Sequence, residues 1–224
     1  MFEHISIQKD VVFGEVVNAK GIKESLALDI YMPENDKVKK RPVIVWMHGG
    51  GFRYGNDKTQ SYIVEMAKRF AKKGYVCISI DYRLREKPLE DIAGTLTDAV
   101  EDASKALKWV RKNRKLLNID QSKIIVGGGS AGGILASNLF FSGQAKKKVK
   151  AGVVGFVNLW GSTGEKWGKL DIHKNAPPTI IVHGTADELV PYSNSVALVE
   201  RLTANNVQNE LVTFKDAGHT PVKH

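Results

Sequence analysis

VGGGSAGG, residues 126–133, satisfies two sequence patterns that belong to different folds and different chemistries. Read from Gly127, it fits G-x-G-x-x-G, the glycine-rich turn that holds the pyrophosphate of a dinucleotide. Read from Gly128, it fits G-x-S-x-G, a sharp strand-to-helix turn that exposes a nucleophilic serine, here Ser130. The segments before and after this stretch decide between the two interpretations.

The rest of the chain alternates between strand-like and helix-like patterns. Two alternating runs, 11–17 and 26–32, predict an opening antiparallel pair, because a turn-prone segment separates them. Continuous apolar runs follow, which are typical of strands buried on both faces of a parallel sheet. These runs are residues 43–47, 75–80, 123–128, 151–157, 179–183 and 210–214.

Apolar residues at helical spacing fill most of the intervals between these strands. The predicted helices are residues 60–73, 97–114, 131–141 and 194–205. The second is expected to open near the cap-like Thr95 and Asp98. Helices between parallel strands predict an α/β fold with a mostly parallel central sheet of about eight strands, covered by helices on both faces and without a cap domain.

Length and composition predict one domain over residues 1–224, since no linker-like tract divides the chain. The 33 Lys and Arg residues against 24 Asp and Glu residues give a net charge of +9. Small basic clusters at 37–41, 111–115 and 146–150 lie at predicted loops or helix ends, without interleaved aromatic residues. We therefore expect a solvated basic surface and no nucleic-acid partner. The single cysteine, Cys77, is expected in a buried strand.

The sequence contains no recognisable targeting or membrane segment. Its first residues, MFEHISIQKDVVFGEV, place charges within a strand-like pattern and lack the apolar core of a signal peptide. No apolar run approaches the roughly 20 residues that span a bilayer. We expect a cytoplasmic protein without membrane association, although a secreted protein whose leader had been removed would read the same.

The dinucleotide interpretation does not fit the position of the glycines. Such a turn normally follows the first strand of its unit, and an acidic residue about 20 positions later binds the ribose. Here the glycines follow the fifth strand-like segment, and no acidic residue occurs between Ser130 and Glu165. No G-K-[ST] follows the turn, and neither C-x-x-C nor H-E-x-x-H occurs. The sequence therefore predicts neither a nucleotide cofactor nor a metal.

The serine interpretation is supported by the residues around and beyond Ser130. The turn needs small residues on both sides of the serine, and Gly128 and Gly132 supply them. A serine hydroxyl also needs a general base, and the base needs an orienting acid. Asp187 and His219 each follow a predicted strand, in the chain order serine, acid, histidine. These three residues are the predicted catalytic triad.

An oxyanion-binding loop is predicted upstream, in WMHGGGFRYG at residues 46–55. The loop follows the strand 43–47 and presents backbone N–H groups on consecutive glycines.

Together these motifs resemble an α/β-hydrolase of the esterase/lipase class, with HGGG and G-x-S-A-G-G motifs, as in hormone-sensitive-lipase-like carboxylesterases and acetyl xylan or feruloyl esterases. The resemblance spans nearly the whole chain, through LDIYMP, VIVWMHGGGF, ISIDYRL, ALKWVRKN, IVGGGSAGG, HGTADELVP and DAGHTP. It implies a serine carboxylic-ester hydrolase without a cofactor or metal. Carried over residue by residue, it implies Ser130 as nucleophile, Asp187 as orienting acid, His219 as base, and the N–H groups of Gly50, Gly51 and Ala131 as oxyanion donors.

Other residues have structural interpretations or depart from the family pattern. His48 is expected to brace the glycine loop, the DYR motif at 81–83 to be structural, and His183 to be packed at a strand end. Gly129 stands where hormone-sensitive-lipase-like enzymes usually have an acid. Only five residues follow His219, so the final helix of the family is expected to be absent.

The substrate class remains open at this level. The interval between the strands 151–157 and 179–183 is too short for a lid domain, which favours short-chain acyl or carbohydrate-linked acetyl and feruloyl esters. Trp160 and Trp167 in this interval are interpreted either as an aromatic shelf or as core residues. A serine peptidase of the prolyl-oligopeptidase kind and an inactive binding module on the same fold are the alternative functions. The oligomeric state is not indicated.

Overall fold

Eight strands form one sheet in the computed structural model, which describes residues 1–35, 37–143 and 147–221. The strands are β1 (Ile5–Val17), β2 (Lys23–Pro33), β3 (Arg41–Met47), β4 (Val76–Ile80), β5 (Ile119–Gly129), β6 (Val153–Leu159), β7 (Thr179–Gly184) and β8 (Asn209–Phe214). Their spatial order is β1-β2-β4-β3-β5-β6-β7-β8. β2 is antiparallel to both of its neighbours, and the other neighbouring strands run parallel. The predicted mostly parallel sheet is confirmed.

Helices cover both faces of this sheet, as predicted. They are α1 (Ser61–Lys72), α2 (Ile92–Lys112), α3 (Ala131–Phe141), α4 (Lys147–Lys150) and α5 (Ser193–Ala204), with a 3₁₀ turn at Glu165–Trp167. In the described part of the chain, no helix is long and apolar enough to cross a membrane. The predicted basic cluster at 146–150 lies partly outside the described residues, because the side chains of residues 146–148 are not described.

The core divides into two layers because successive strand residues point to opposite faces. In β3, Val43 and Val45 pack with residues of α2, α3 and α5. Ile44 and Trp46 point the other way and pack with α1. Cys77 of β4 is buried in this second layer, as expected.

The predicted start of α2 at Thr97 is wrong, because an earlier residue caps the helix. Asp91 is the N-cap, and its carboxylate accepts the N–H of Gly94 at 2.9 Å. Thr95 lies inside the helix, where its hydroxyl donates to the carbonyl of Asp91 at 2.8 Å. Asp98 forms ion pairs with two arginines of the preceding loop. Both supposed caps are therefore interior residues with other partners.

The turn after β5 leaves no room for a side chain at Gly132. A Cβ atom there would lie 2.0 Å from the carbonyl oxygen of Met47 and 2.7 Å from that of His48. Both contacts are to backbone at the end of β3, so the strand itself would have to move. The small residues that the sequence predicts here are thus a steric requirement.

We expect Gly132→Ala to lower the free energy of unfolding by about 3 kcal/mol, because the added methyl overpacks the joint between α3 and β3. Urea denaturation measures the change. Gly14→Ala is the matched control: its Cβ would meet only the Lys105 side chain, at 3.9 Å, and its stability should stay within about 1 kcal/mol of the parent. Equal stabilities for the two variants would contradict the steric argument.

Candidate active site

The loops after β3, β5, β7 and β8 meet at the carboxyl ends of the parallel strands, where α/β sheets bind ligands. There they line a cavity of about 870 Å³. Five of the six predicted site residues line this cavity. The sixth, Asp187, forms a hydrogen bond with His219, which is one of the five. The five are Ser130, His219, Gly50, Gly51 and Ala131.

Ser130 is held in a strained turn between β5 and α3. It is the N-cap of α3, with φ 54° and ψ −118°, a backbone conformation that a non-glycine residue rarely adopts. Its N–H donates to the carbonyl of Leu159 at 2.9 Å, and its own carbonyl accepts the N–H of Ile134 at 3.0 Å. A Cβ at Gly128 would lie 2.5 Å from backbone atoms of Gly132. The surrounding backbone thus fixes the turn that presents the hydroxyl.

Asp187 is a buried carboxylate with four hydrogen-bond donors. Oδ1 accepts the N–H groups of Leu189 and Val190, both at 2.9 Å. Oδ2 lies 2.7 Å from Nδ1 of His219 and 3.0 Å from Nε2 of His183. Burial by itself would raise the pKa of Asp187, but the N–H of Val190 and the His219 imidazole outweigh it and hold the pKa below its ordinary value. Asp187 is therefore ionised at neutral pH.

The contact with Asp187 fixes the tautomer of His219. An ionised carboxylate can only accept, so Nδ1 of His219 carries the proton. In the neutral imidazole, Nε2 then has a free lone pair. Within the described residues Ser130 Oγ makes no hydrogen bond to this imidazole, and such contacts often tighten only when substrate binds. His219 is thus prepared to accept a proton in the cavity that Ser130 also lines.

His183 is buried as predicted, but it also makes a specific contact that the sequence interpretation missed. Its Nε2 faces two acceptors, Oδ2 of Asp187 at 3.0 Å and the carbonyl of Val190 at 2.9 Å, so Nε2 must carry the proton. Nδ1 then accepts from the hydroxyl of Ser195 at 2.6 Å. His183 therefore donates to the carboxylate oxygen that also binds His219. The spacing of four residues in H-G-T-A-D was the available signal.

The glycine loop after β3 lines the cavity and contains N–H groups that no described residue accepts. Gly50 and Gly51 have φ values of 98° and 63°, which favour glycine. Within the described residues, the N–H groups of Gly50, Gly51 and Ala131 have no protein partner, and all three residues line the cavity. Asn56 braces the loop through a 3.2 Å hydrogen bond from Nδ2 to the carbonyl of Gly50. The arrangement leaves donors free for an anionic oxygen.

His48 lies between the glycine loop and the core and supports the loop. It is fully buried and stacks on Tyr82 with ring centroids 4.3 Å apart. Tyr82 Oη donates to the carbonyl of His48 at 2.7 Å, and the N–H of Gly49 donates to Oε1 of Gln60 at 2.9 Å. Burial lowers the pKa of His48 to about 4, so it is neutral at physiological pH. These contacts agree with its predicted bracing role.

The rest of the DYR motif also makes structural contacts, as predicted. Asp81 accepts the N–H of Lys58 at 2.9 Å and lies 3.3 Å from its Nζ. Arg83 donates through Nε and Nη2 to the buried carboxylate of Asp102, both at 2.8 Å. The motif ties the strand end to the loop before α1 and to α2.

The departure from the family pattern at Gly129 has a steric explanation. A Cβ on Gly129 would lie 2.6 Å from Oη of Tyr62 and 2.9 Å from its ring. The Tyr62 side chain therefore fills the space that an acidic side chain before the serine would need. Its hydroxyl donates to the carbonyl of Gly129 at 3.5 Å.

Aromatic side chains form much of the cavity wall. Trp160 is buried, with ring centroids 5.4 Å from Tyr62 and 6.4 Å from His219. Trp167 is half-buried and lies 5.8 Å from Phe52. Both tryptophans line the cavity. Trp160 is therefore both a core residue and part of the cavity wall, the two roles that the sequence left open. Trp167 presents the more accessible ring.

Comparisons with known proteins identify the family of this chain. The BD-FAE family model matches residues 28–157, and the prolyl oligopeptidase family model matches residues 163–224. Esterase LipC of Mycobacterium tuberculosis is 26% identical over 233 aligned residues, which cover 86% of this chain and 56% of LipC. The chain spans about half the length of the curated relatives LipC and LipM.

Solved structures extend the similarity to the whole described fold. Thermogutta terrifontis esterase 2 phosphoramylated by tabun is 25% identical with a TM-score of 0.77, covering 98% of this chain and 86% of that one. The butyrate-bound form of the same esterase is 26% identical with a TM-score of 0.74, covering 92% and 84%. Since the BD-FAE model spans more than half of its residues, the chain belongs to the BD-FAE family and has the α/β-hydrolase fold of esterases.

Proposed function

We propose that this protein is a serine carboxylic-ester hydrolase with Ser130 as nucleophile, His219 as general base and Asp187 as the acid that orients the base. The observation that carries the proposal is the hydrogen-bonded pair of Asp187 and His219 at the cavity that the strained Ser130 lines. The esterase names of the relatives support the same reaction.

In the first half-reaction, Nε2 of His219 takes the proton of Ser130 Oγ while Oγ attacks the ester carbonyl carbon. The carbonyl π electrons move to the oxygen and form an oxyanion. Collapse of this intermediate expels the alkoxide, which receives the proton from the imidazolium of His219. In the second half-reaction, water gives a proton to Nε2 and attacks the acyl-enzyme, and the carboxylic acid leaves as Ser130 recovers its proton.

The oxyanion is stabilised by the free N–H groups of Gly50, Gly51 and Ala131. Ala131 begins α3, so the positive end of the helix dipole adds to its N–H. One such donor contributes about 10²- to 10³-fold in rate when it is preorganised. Asp187 holds the charged imidazolium that forms in the same step.

We infer short acyl groups and carbohydrate-linked esters as the substrate class. Between β6 and β7, the described residues form a loop whose only helical turn is Glu165–Trp167, rather than a lid that closes over Ser130. Trp167 offers a half-exposed ring suited to a sugar or phenolic group. The butyrate-bound relative supports acyl groups of this size.

Acyl-chain profiling tests this function. We expect kcat/KM for 4-nitrophenyl esters to be highest from acetate to butyrate and to fall by octanoate, with further tests on methyl ferulate and acetylated xylan. A maximum at octanoate or longer, or activation by triglyceride emulsions, would contradict the open site. No hydrolysis of any ester would overturn the proposed reaction.

A peptidase of the prolyl-oligopeptidase kind is the second candidate. The match of that family model to residues 163–224, which include Asp187 and His219, favours it. Alanyl-proline 4-nitroanilide distinguishes the two: an esterase should hydrolyse 4-nitrophenyl acetate and leave the anilide intact, whereas a peptidase should cleave the anilide.

The His183 contact makes a separate prediction. His183→Leu should lower kcat about 10-fold with KM within about 2-fold, because the carboxylate of Asp187 loses one charge-assisted donor and His183 itself does not line the cavity. Steady-state kinetics on 4-nitrophenyl acetate measure both constants. Ser195→Ala, which removes only the donor to Nδ1 of His183, should have a smaller effect in the same direction. A parental kcat in His183→Leu would show that the contact has no role in positioning Asp187.

A further inference from the structure

The cavity lining carries charge of one sign. Among the described residues that line it, Arg53 and Lys166 carry fixed charges, and none is acidic. The imidazole of His219 adds no negative charge. A substrate that enters therefore meets two cations on different loops and no carboxylate among the described lining residues.

Neither cation is neutralised by an acidic residue in the described part of the chain. Within the described residues, Arg53 and Lys166 form no ion pair, whereas the nearby Arg85 pairs with Asp91 and Asp98. Glu165, the chain neighbour of Lys166, is exposed and lies outside the lining. The two positive charges thus remain available to a ligand.

Each cation is attached to a defined part of the site. The N–H of Arg53 donates to the carbonyl of Gly50 at 3.1 Å, so its backbone belongs to the glycine loop. Nζ of Lys166 lies 5.4 Å from the ring centroid of Trp167, a cation–π contact that keeps the ammonium beside the aromatic wall. The positive charge is therefore part of the cavity wall.

The buried carboxylate of Asp187 carries one negative charge but lies outside the cavity lining. It is behind His219, and its oxygens already accept four hydrogen bonds, so the two cations of the lining still outnumber it. Arg53 and Lys166 are both exposed at the cavity, so their attraction for an anionic group is long-range and should weaken as salt is added.

We propose that the cavity selects esters that carry a carboxylate in addition to the ester bond, with Arg53 and Lys166 as the specificity-determining residues. The inference rests on the proposed ester hydrolysis. An acidic sugar places the carboxylate on the alcohol side of the ester, and a dicarboxylic half-ester places it on the acyl side.

Matched charged and neutral esters test the selection and separate these sources. The alcohol-side pair is 4-acetoxybenzoate and 4-acetoxybenzamide, and the acyl-side pair is the mono-4-nitrophenyl ester of adipate and its terminal amide. Each kcat/KM is divided by the rate of spontaneous hydrolysis. We expect a charged-to-neutral ratio of about 10 or more in at least one pair, falling towards unity at about 0.5 M salt.

The double variant R53Q/K166Q should bring that ratio close to unity. Lys169→Gln, which removes an exposed charge outside the lining, is the matched control and should keep the parental ratio. A parental ratio at or below unity in both pairs, or a ratio that survives in R53Q/K166Q, would overturn the proposal.

Binding to non-hydrolysable pairs separates this inference from the proposed reaction. The alcohol-side pair is 4-acetamidobenzoate and 4-acetamidobenzamide, and the acyl-side pair is the mono-4-nitroanilide of adipate and its terminal amide. With Ser130→Ala, calorimetry should show tighter binding of the charged compound in at least one pair, and R53Q/K166Q should remove the difference. If no ester is hydrolysed but this binding preference persists, the proposed hydrolysis is wrong and the proposed anion site is supported. Equal binding of the charged and neutral compounds in both pairs would overturn the anion site.

Discussion

Ser130→Ala is expected to lower kcat on 4-nitrophenyl acetate by about 10⁶-fold, because the variant has no atom that can form the acyl-enzyme. The residual rate should come from the oxyanion donors alone. Far-ultraviolet circular dichroism and the unfolding midpoint should stay close to the parent, since the hydrogen bonds of Ser130 are made by its backbone.

Ser61→Ala is the matched control for this loss. Ser61 lines the same cavity at the first residue of α1, and its activity should stay within about 3-fold of the parent. An activity above about 1% of the parent in Ser130→Ala would mean that another nucleophile does the chemistry, and Ser162 and Thr220 are hydroxyl residues of the cavity wall that could then be tested.

His219→Gln is expected to lower kcat almost as far, by about 10⁵- to 10⁶-fold, since no other described imidazole lines the cavity. Asp187→Asn should cost less, about 10⁴-fold, because the base survives but is held in the wrong tautomer. The double variant Ser130→Ala/His219→Gln should be no slower than Ser130→Ala, because the two residues act in one step.

His173→Gln is the control for the histidine series. His173 is exposed and lines a different cavity, so its variant should retain most of the activity. A comparable loss in His173→Gln, or additive losses in the double variant, would contradict the assignment of His219 as the base.

The elements of the fold could be predicted because periodicity reports burial directly. A strand buried on both faces reads as a continuous apolar run, as β3, β4 and β7 do. The start of α2 was missed because Asp91, Thr95 and Asp98 are all acceptable caps by local chemistry. Asp91 is the cap because its carboxylate accepts the N–H of Gly94, whereas Asp98 pairs with arginines. Both contacts depend on how the loop before the helix folds.

The candidate site likewise contains residues whose positions the sequence predicts and contacts that it does not predict. Ser130, Asp187 and His219 lie where the sequence predicts because each follows a strand whose carboxyl end faces one edge of the sheet. The contact of His183 with Asp187 depends on how the turn after β7 folds back, which the sequence pattern does not specify. The positions of Arg53 and Lys166 likewise depend on loop shape.

Covalent labelling tests the central claim most directly. Incubation with a fluorophosphonate followed by peptide mass spectrometry should place one adduct on the peptide that contains Ser130, with loss of ester hydrolysis in proportion to labelling. Ser130→Ala should take up no label. An adduct on another residue, or full ester hydrolysis by protein that remains unlabelled, would contradict the account.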